Sequence, residues 1–385
     1  MSALAAQAMR RHRAAARPRQ DPWLSVAFYG LLGLGVVMVY SASAVRPGEL
    51  GGGYYLLRHL LHVGAGLLLV QAVQRLPVDG WQQVDRLLIV LGLGLLGLVL
   101  VPGLSGQVNG SARWFRLGPV QLQPSEFVKV IMVIYVAGYL TRRQDRLQVL
   151  SGGILVVGAV VGLAGMLLLG EPDFGSLVVI VLTVAAMLYL AGVRLWHLAL
   201  CALAALVAMA ALIYMAPYRL ERILAFIDPW SNQFGSGFQL VQALIAFGRG
   251  EWLGVGLGNS VQKLYYLPAA NTDFLLAVVG EELGLVGVWA VIGLFALLTW
   301  RALWIARRAE LAGETFGARL AQGLAVLLAV QALVNMGVNL GVLPTKGLTL
   351  PLVSYGGSSM LASCLAVGLL RAVDVQTRGR RRMRA

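Results

Sequence analysis

Charge is what this chain has least of. Asp, Glu, Lys and Arg make up only 12% of its 385 residues, against 58% hydrophobic, and that balance excludes an ordinary soluble globule. Cysteine is almost missing: Cys201 and Cys364 both lie in apolar runs, far from any His or acid cluster. This excludes a disulfide framework and suggests no metal centre. The chain has no Walker loop, no repeat of roughly 20 to 50 residues and no low-complexity linker, so it reads as one integral domain without a nucleotide engine. Any work it does must be driven by substrate, an ion gradient or a partner. The alternating segments of a membrane β-barrel are missing too, since stretches such as LLIVLGLGLLGLVLVPGL are continuously apolar.

What is present is a series of apolar runs near twenty residues long. They predict an all-α polytopic membrane protein with ten transmembrane helices over 24–45, 57–75, 87–104, 124–141, 149–169, 176–193, 197–216, 273–300, 320–341 and 358–372. Residues 1–22 form a basic tail carrying Arg10, Arg11, Arg13, Arg17 and Arg19 without a convincing cleavage site, which reads as an uncleaved anchor with the amino terminus in the cytoplasm. Residues 23–373 form the membrane domain and 374–385 a second basic cytoplasmic tail. This topology places most of the 31 Lys and Arg inside and most acids outside. The pI of 10.4 therefore reflects membrane orientation rather than nucleic-acid binding. The arginines Arg378, Arg380, Arg381 and Arg382 suit attraction to anionic lipid headgroups.

Under this topology the polar residues gather in four places, all on the extracytoplasmic side. The first is the loop from Ser105 to Gln123, leading into Pro124, Ser125, Glu126 and Lys129. Pro, Ser and Glu mark a helix start, and Glu126 and Lys129 share a face as either an internal ion pair or part of a site. Arg113 and Arg116 flank Trp114 and Phe115, a pattern that serves an interfacial anchor or an anionic headgroup entering from the bilayer. The second is the turn with Glu171, Pro172 and Asp173, where two acids at membrane level either cap the next helix and pair with an Arg or take part in chemistry.

The third place is the long segment 217–272, in which Phe238 to Phe247 is too short to span and is fenced by glycines, predicting a re-entrant or interfacial helix. Lys263 lies in this segment, and Asp273 follows as the first acid after Glu251. Asn271, Thr272 and Asp273 are good helix caps, which is one explanation of Asp273. Glu281 and Glu282 lie on the order of 12 Å deeper and must be hydrogen-bonded, protonated or in a wet cavity. The fourth place is the loop LPTKGLTLPLVSYGGSS with Lys346, Ser354 and Tyr355. Its glycines and exposed N–H groups suit phosphate, and equally a tight re-entrance with Ser caps.

Four motifs in this order, QPSEFVKV, EPDFGS, NTDFLLAVVGEELGLVG and LPTKGLTLPLVSYGGSS, make the chain resemble the SEDS family (shape, elongation, division and sporulation) from about Trp23 to Ala372. Thr345 with Lys346 resembles its division branch more than its elongation branch. The resemblance implies a peptidoglycan glycan-chain polymerase in the inner membrane. Such an enzyme uses lipid II, a disaccharide-peptide on undecaprenyl pyrophosphate, and works with a class B penicillin-binding transpeptidase and other divisome membrane proteins. It also implies that the essential acid is Asp273. Relatives often carry further acids or His near this acid, where this chain has Tyr265, Ala269, Ala270 and Asn271.

Lipid II is linked α and its polymer β-1,4. A single inverting displacement therefore needs one base and stabilisation of the departing pyrophosphate, not a carboxylate nucleophile. The expected base is Asp273. The expected pyrophosphate ligands are Arg113, Lys129 and Lys346, with Arg116 and Lys263 behind them; Ser354 and Tyr355 line the substrate site, and Glu126, Glu171, Asp173, Glu281 and Glu282 are supporting acids. No cofactor is required by the sequence, and a divalent cation, Mg or Mn, is optional. Two other functions fit the same composition. One is a lipid II flippase, for which intramembrane Lys129, Glu281 and Glu282 would serve; the other is a non-catalytic scaffold that would tolerate neutralising Asp273.

Overall fold

The computed structural model describes residues 20–44, 51–103, 106–108, 111–117, 120–146, 154–214, 221, 224–264 and 266–384. The amino-terminal arginines and Tyr265 lie outside the described residues. Eleven α-helices are built there: α1 (Pro22–Ser43), α2 (Gly51–Val73), α3 (Val78–Val99), α4 (Pro124–Arg142), α5 (Leu155–Gly170), α6 (Phe174–Leu190), α7 (Leu195–Tyr214), α8 (Phe238–Gly250), α9 (Leu275–Leu311), α10 (Thr315–Asn339) and α11 (Gly357–Arg384). Seven of them, α1 to α4 and α9 to α11, are long and apolar enough to cross a membrane, while α5, α6 and α7 are shorter apolar helices. Helix starts follow the chain's local chemistry. Pro22 opens α1 behind Asp21, whose carboxylate accepts from Leu24 N at 3.0 Å, and Asp173 accepts from Ser176 N at 3.1 Å at the start of α6.

The bundle has an inside and an outside. The apolar windows of α4 and α11 are 83% buried, against 28% for α2 and α3, so α4 and α11 form the interior together with α10. Helix α10 packs on α9, α4, α6 and α11, and α11 packs on α2. Inner helices must therefore satisfy their polar groups within the protein.

Several sequence boundaries move, each for a physical reason. The span expected at 87–104 begins at Val78, because Asp85 is buried against Arg142 at 2.7 Å and no longer breaks the helix. The basic tail expected from 374 is instead the continuation of α11. Asp374 pairs with Arg308 at 3.1 Å and Arg378 at 2.8 Å, and Arg380 reaches Asp79 at 2.7 Å. Asp21 gathers Arg301, Arg308 and Arg378 at the same end. These arginines thus tie helix ends together before any headgroup is involved. The loop between α3 and α4 is not purely irregular either: β1 (Gly106–Val108), β2 (Ser111–Leu117) and β3 (Val120–Leu122) form a small antiparallel sheet in the order β1-β2-β3. The aromatic pair Trp114 and Phe115 in SARWFRL favours an extended chain there.

Helix α9 is broken at Gly284, which has φ 66 and ψ −164. A broken helix exposes carbonyls before the break and amides after it, and here the segment after α8 fills them. Val255 N donates to Glu281 O (2.9 Å) and Gly256 N to Glu282 O (3.1 Å), while Leu285 N donates to Glu251 O (2.9 Å) and Val286 N to Trp252 O (3.2 Å). Helix α8, the short helix expected within the 217–272 segment, leads into this insertion and packs along α9.

Candidate active site

The four polar segments meet at one end of the bundle. Gln123 N donates to Ser358 Oγ (2.8 Å), and Ser125 Oγ donates to Asp173 Oδ2 (2.8 Å), joining the start of α4 to the starts of α11 and α6. Tyr355 N donates to Asn271 O (2.9 Å). The charged end formed by Asp21, Arg301, Arg308 and Asp374 lies at the opposite termini of α1, α9 and α11.

Asp273 stands in a turn two residues ahead of α9. The residue at the helix cap is Phe274, which has no side-chain acceptor, so Asp273 does not fill the capping role its sequence position allows. Its Oδ2 lies 3.3 Å from where a Cβ on Gly347 would be, against the loop that carries Lys346. Among the described residues no hydrogen bond or ion pair engages its carboxylate. Burial pushes its pKa up to about 7, opposed by Arg113 and reinforced by Glu126. The backbone carbonyl of Asp273 accepts from both Asn335 Nδ2 and Asn339 Nδ2, each at 2.9 Å. Sequence reasoning missed these two asparagines. Their signal was available as two carboxamides four residues apart, with Gln331 one turn earlier, in the second half of a largely apolar span.

Arg113 crosses from β2 to the 171–172 turn, donating from Nε to Glu171 O at 2.8 Å and from Nη2 to Pro172 O at 2.5 Å. It is half-buried and contributes its charge to the Asp273 environment. Glu171 is fully buried with neither carboxylate oxygen hydrogen-bonded; burial, with help from Asp173, pushes its pKa up to about 8. It is a neutral acid at physiological pH. Asp173 is the cap of α6 and the ligand of Ser125. Lys346 is half-buried, with Nζ 4.0 Å from the centre of the Phe174 ring, a cation–π contact that holds the ammonium beside the turn bearing Glu171 and Asp173.

Other expected site residues are committed to structure. Lys129 is buried with Nζ on Glu126 (2.9 Å) and Gln331 (3.0 Å), so of the two readings of that pair the internal ion pair is the one that forms. A small cavity, with room for roughly one water, adjoins Glu126, Lys129, Gln331 and Ser363. Lys263 is likewise closed off, bonding Glu282 (2.9 Å), Ser41 (3.2 Å) and Gly258 O (2.7 Å). Glu282 also accepts from Ser41, and Glu281 accepts from Ser260, Val261 N and Gln262 N, with Arg249 at 3.3 Å. Glu281 and Glu282 therefore pin the inserted segment to broken α9. Ser354 is a turn residue, its Oγ accepting from Leu350 N at 3.1 Å. Tyr355 packs edge-on against Tyr55 and His62. Arg116 pairs through its backbone with Gln121; its side chain lies outside the described residues. Among the described residues no three His, Cys, Asp or Glu groups converge on a metal position.

The arrangement offers a half-buried, unengaged carboxylate of raised pKa within the field of Arg113, against the glycine-containing loop that carries Lys346. This can accept a proton and neutralise an anionic leaving group. A model of the cell cycle protein family that groups FtsW, RodA and SpoVE matches residues 22–379. The chain is 53% identical over 363 residues to a probable peptidoglycan glycosyltransferase FtsW of Nitrosococcus halophilus, covering 94% of both chains. It is 49% identical to the protein of the same name in Coxiella burnetii, covering 93% of this chain and 96% of that one. Among solved structures it superposes on a chain of a peptidoglycan synthase complex with TM-score 0.78, 31% identity and coverage of 93% and 98%. With the rod shape determining protein RodA of Thermus thermophilus the TM-score is 0.67, with 28% identity and coverage of 92% and 96%.

Proposed function

The chain belongs to the FtsW, RodA and SpoVE family of cell cycle proteins, and from that premise we propose how its site works as a peptidoglycan glycosyltransferase. It is a multi-pass membrane enzyme of cell division. The substrate is lipid II, and the end bearing Asp273 faces out of the cytoplasm across the inner membrane. There the enzyme works beside a class B penicillin-binding transpeptidase and other divisome membrane proteins. A relative in structure comes from a complex of polymerization and crosslinking, which supports such a partner.

Asp273 accepts the proton of the acceptor's 4-hydroxyl as that oxygen attacks the anomeric carbon of the lipid-linked sugar. The bond to pyrophosphate breaks, and undecaprenyl pyrophosphate departs with the electron pair. Inversion follows from a single displacement. A base with a pKa near the working pH combines a useful ionised fraction with proton affinity, which a capped, low-pKa aspartate would lack. Lys346 and the outward edge of Arg113 meet the developing negative charge. Lys129 and Lys263 are left out of this set because both are buried inside the bundle, whereas Lys346 is half-buried in the loop against Asp273. A divalent cation, where bound, would be held by Asp273 and would help neutralise the pyrophosphate; among the described residues no three His, Cys, Asp or Glu groups converge on it.

The observation that carries this reading is the unengaged carboxylate of Asp273, set where four polar segments converge while the acids at Glu126, Glu281 and Glu282 are all paired. The test is glycan-chain formation from purified lipid II by the reconstituted protein and its transpeptidase, wild type against Asp273→Asn, with co-purification confirming both are folded. Polymer from wild type only supports the reading. Polymer from both removes Asp273 as base, and transbilayer movement of labelled lipid II without polymer would replace the enzyme by a flippase.

A further inference from the structure

Asp273 stands one residue before the helix cap Phe274, close enough to the free first amides of α9 for a one-residue shift of the helix start to bring its carboxylate onto them. No such shift occurs, and α10 supplies the reason. In an unbroken helix start, Ala277 N would donate to Asp273 O. Instead Ala277 N donates to Phe274 O at 3.1 Å and shares itself with the carboxamide of Asn339, whose Oδ1 accepts from it at 3.2 Å and whose Nδ2 donates to Asp273 O at 2.9 Å. The side-chain amide thus bridges the two groups that an i→i−4 bond would join, holding the turn open. The second lone pair of the same carbonyl is filled by Asn335 Nδ2 at 2.9 Å. Asn335 Nδ2 also donates to Leu348 O at 2.5 Å, so the loop that follows Lys346 is fastened to the same point.

Both asparagines are buried, at 1% and 0% exposure, and they support each other, with Asn339 Nδ2 also donating to Asn335 O at 2.9 Å. A carboxamide in an apolar helix is costly unless each of its groups is paired, and here both Nδ2 groups converge on the one carbonyl of Asp273. We propose that Asn335 and Asn339 are positioning residues that hold Asp273 out of the first turn of α9, keeping its carboxylate off the helix amides and in register with the Lys346 loop. The inference rests on Asp273 being the base. Arg113 of β2 and Glu126 of α4 act on the same carboxylate, and Lys346 stands in the adjoining loop; none of them touches the asparagines' bonds to the carbonyl. Removing the wedge lets Ala277 N close onto Asp273 O and lets the carboxylate swing to the helix amides, which stabilise its anion and weaken it as a base.

The experiment compares wild type, Asn339→Ala and Asn335→Ala as full-length protein reconstituted with the transpeptidase, measuring lipid II polymerisation against pH. For Asn339→Ala the acidic limb of the rate profile is expected to move down by about one pH unit, with kcat at neutral pH reduced roughly tenfold and KM within about threefold. Asn335→Ala shifts the limb in the same direction by less, because the Asn339 wedge remains. Where activity is too low to profile, the pH midpoint of labelling of Asp273 by a hydrophobic carbodiimide, read by mass spectrometry, reports the same protonation without turnover. Limb and midpoint both unchanged in the folded variants would overturn the inference, since a merely structural role lowers yield and melting temperature but leaves the titration where it was. Asp273→Asn in the same assay separates the two readings. If it keeps polymerising, the base assignment falls; if it is dead while the asparagine variants titrate like wild type, only the positioning role falls.

Discussion

Replacing Gly284 by alanine tests the join between α9 and the segment inserted against it. Gly284 sits at φ 66 and ψ −164, backbone territory open essentially to glycine alone, at a strain of roughly 1–3 kcal/mol for another residue. The added Cβ would also stand 2.4 Å from Gly254 N and 2.5 Å from Trp252 O. Both are backbone atoms, Trp252 O accepting from Val286 N at 3.2 Å and Gly254 N donating to Gly250 O at 2.7 Å, so neither can rotate aside. If the inserted segment backs off, Glu281 O, Glu282 O, Leu285 N and Val286 N lose partners, and each buried group left bare costs about 1–3 kcal/mol. With partial relaxation returning some of these bonds to the helix, a net loss of about 4 kcal/mol follows.

At roughly 2 °C per kcal/mol for a chain of this size, the melting temperature falls by about 8 °C. Thermal unfolding in detergent can be followed with a thiol-reactive dye, because Cys364 is buried and reacts only on unfolding, and exposed Cys201 can be replaced by Ser to lower the baseline. Gly293→Ala is the control: it lies in the same helix with open space around its Cβ, and it should be neutral or stabilising by about 0.5–1 kcal/mol. A Gly284→Ala melting temperature within about 2 °C of wild type would refute the argument that the backbone contact holds the break.

Three further outcomes are expected. Lys263→Met leaves Glu282 buried without its cation and costs about 3–5 kcal/mol, whereas Lys263→Met with Glu282→Leu recovers most of it; a double-mutant cycle on melting temperature checks this. With the Asp273 carboxyl raised to about 7, polymerisation rises with pH through that value and levels above it, because the base must be ionised, and a flat profile between pH 6 and 8 would contradict the assignment. Glu171, raised to about 8, binds a proton in the folded protein that the unfolded chain has already released. Its contribution to stability is therefore fullest below about pH 4.5 and declines as pH climbs toward 8, by roughly 1.4 kcal/mol per unit; Glu171→Gln should flatten that slope in melting curves.

The apolar helices were legible because a twenty-residue run with no charge has few other fates. The four polar segments were legible for the complementary reason, since polar, glycine-broken chain does not lie in lipid. Boundaries differ where a charged residue continues a helix. Asp85 and Asp374 are inside helices because Arg142 and Arg308 neutralise them, and both partners are more than fifty residues away in sequence. The sheet at Ser111–Leu117 went unread because three short strands carry too little alternation to stand out from a loop.

The lysines divide in a way that one sequence cannot display. Lys129 and Lys263 were read with Lys346 as anion ligands, yet the first two face Glu126 and Glu282 at 2.9 Å. Glu126 was visible three residues from Lys129, and either outcome fitted that spacing. Glu282 lies nineteen residues from Lys263, and only the break at Gly284 brings the inserted segment to it. An ionisable group in a membrane protein is a functional candidate by default, but the default holds only for groups whose charge the fold has not already neutralised. Among the acids of the described residues at this end, that criterion sets aside Glu126, Glu281 and Glu282 and leaves Asp273 and the fully buried Glu171. Of these two only Asp273 adjoins the Lys346 loop and shares an asparagine with it. Selection for catalysis at this end then acts on geometry as much as on charge: Asn335 carries no formal charge, yet it sets the distance between the acid and the loop that bears the cation.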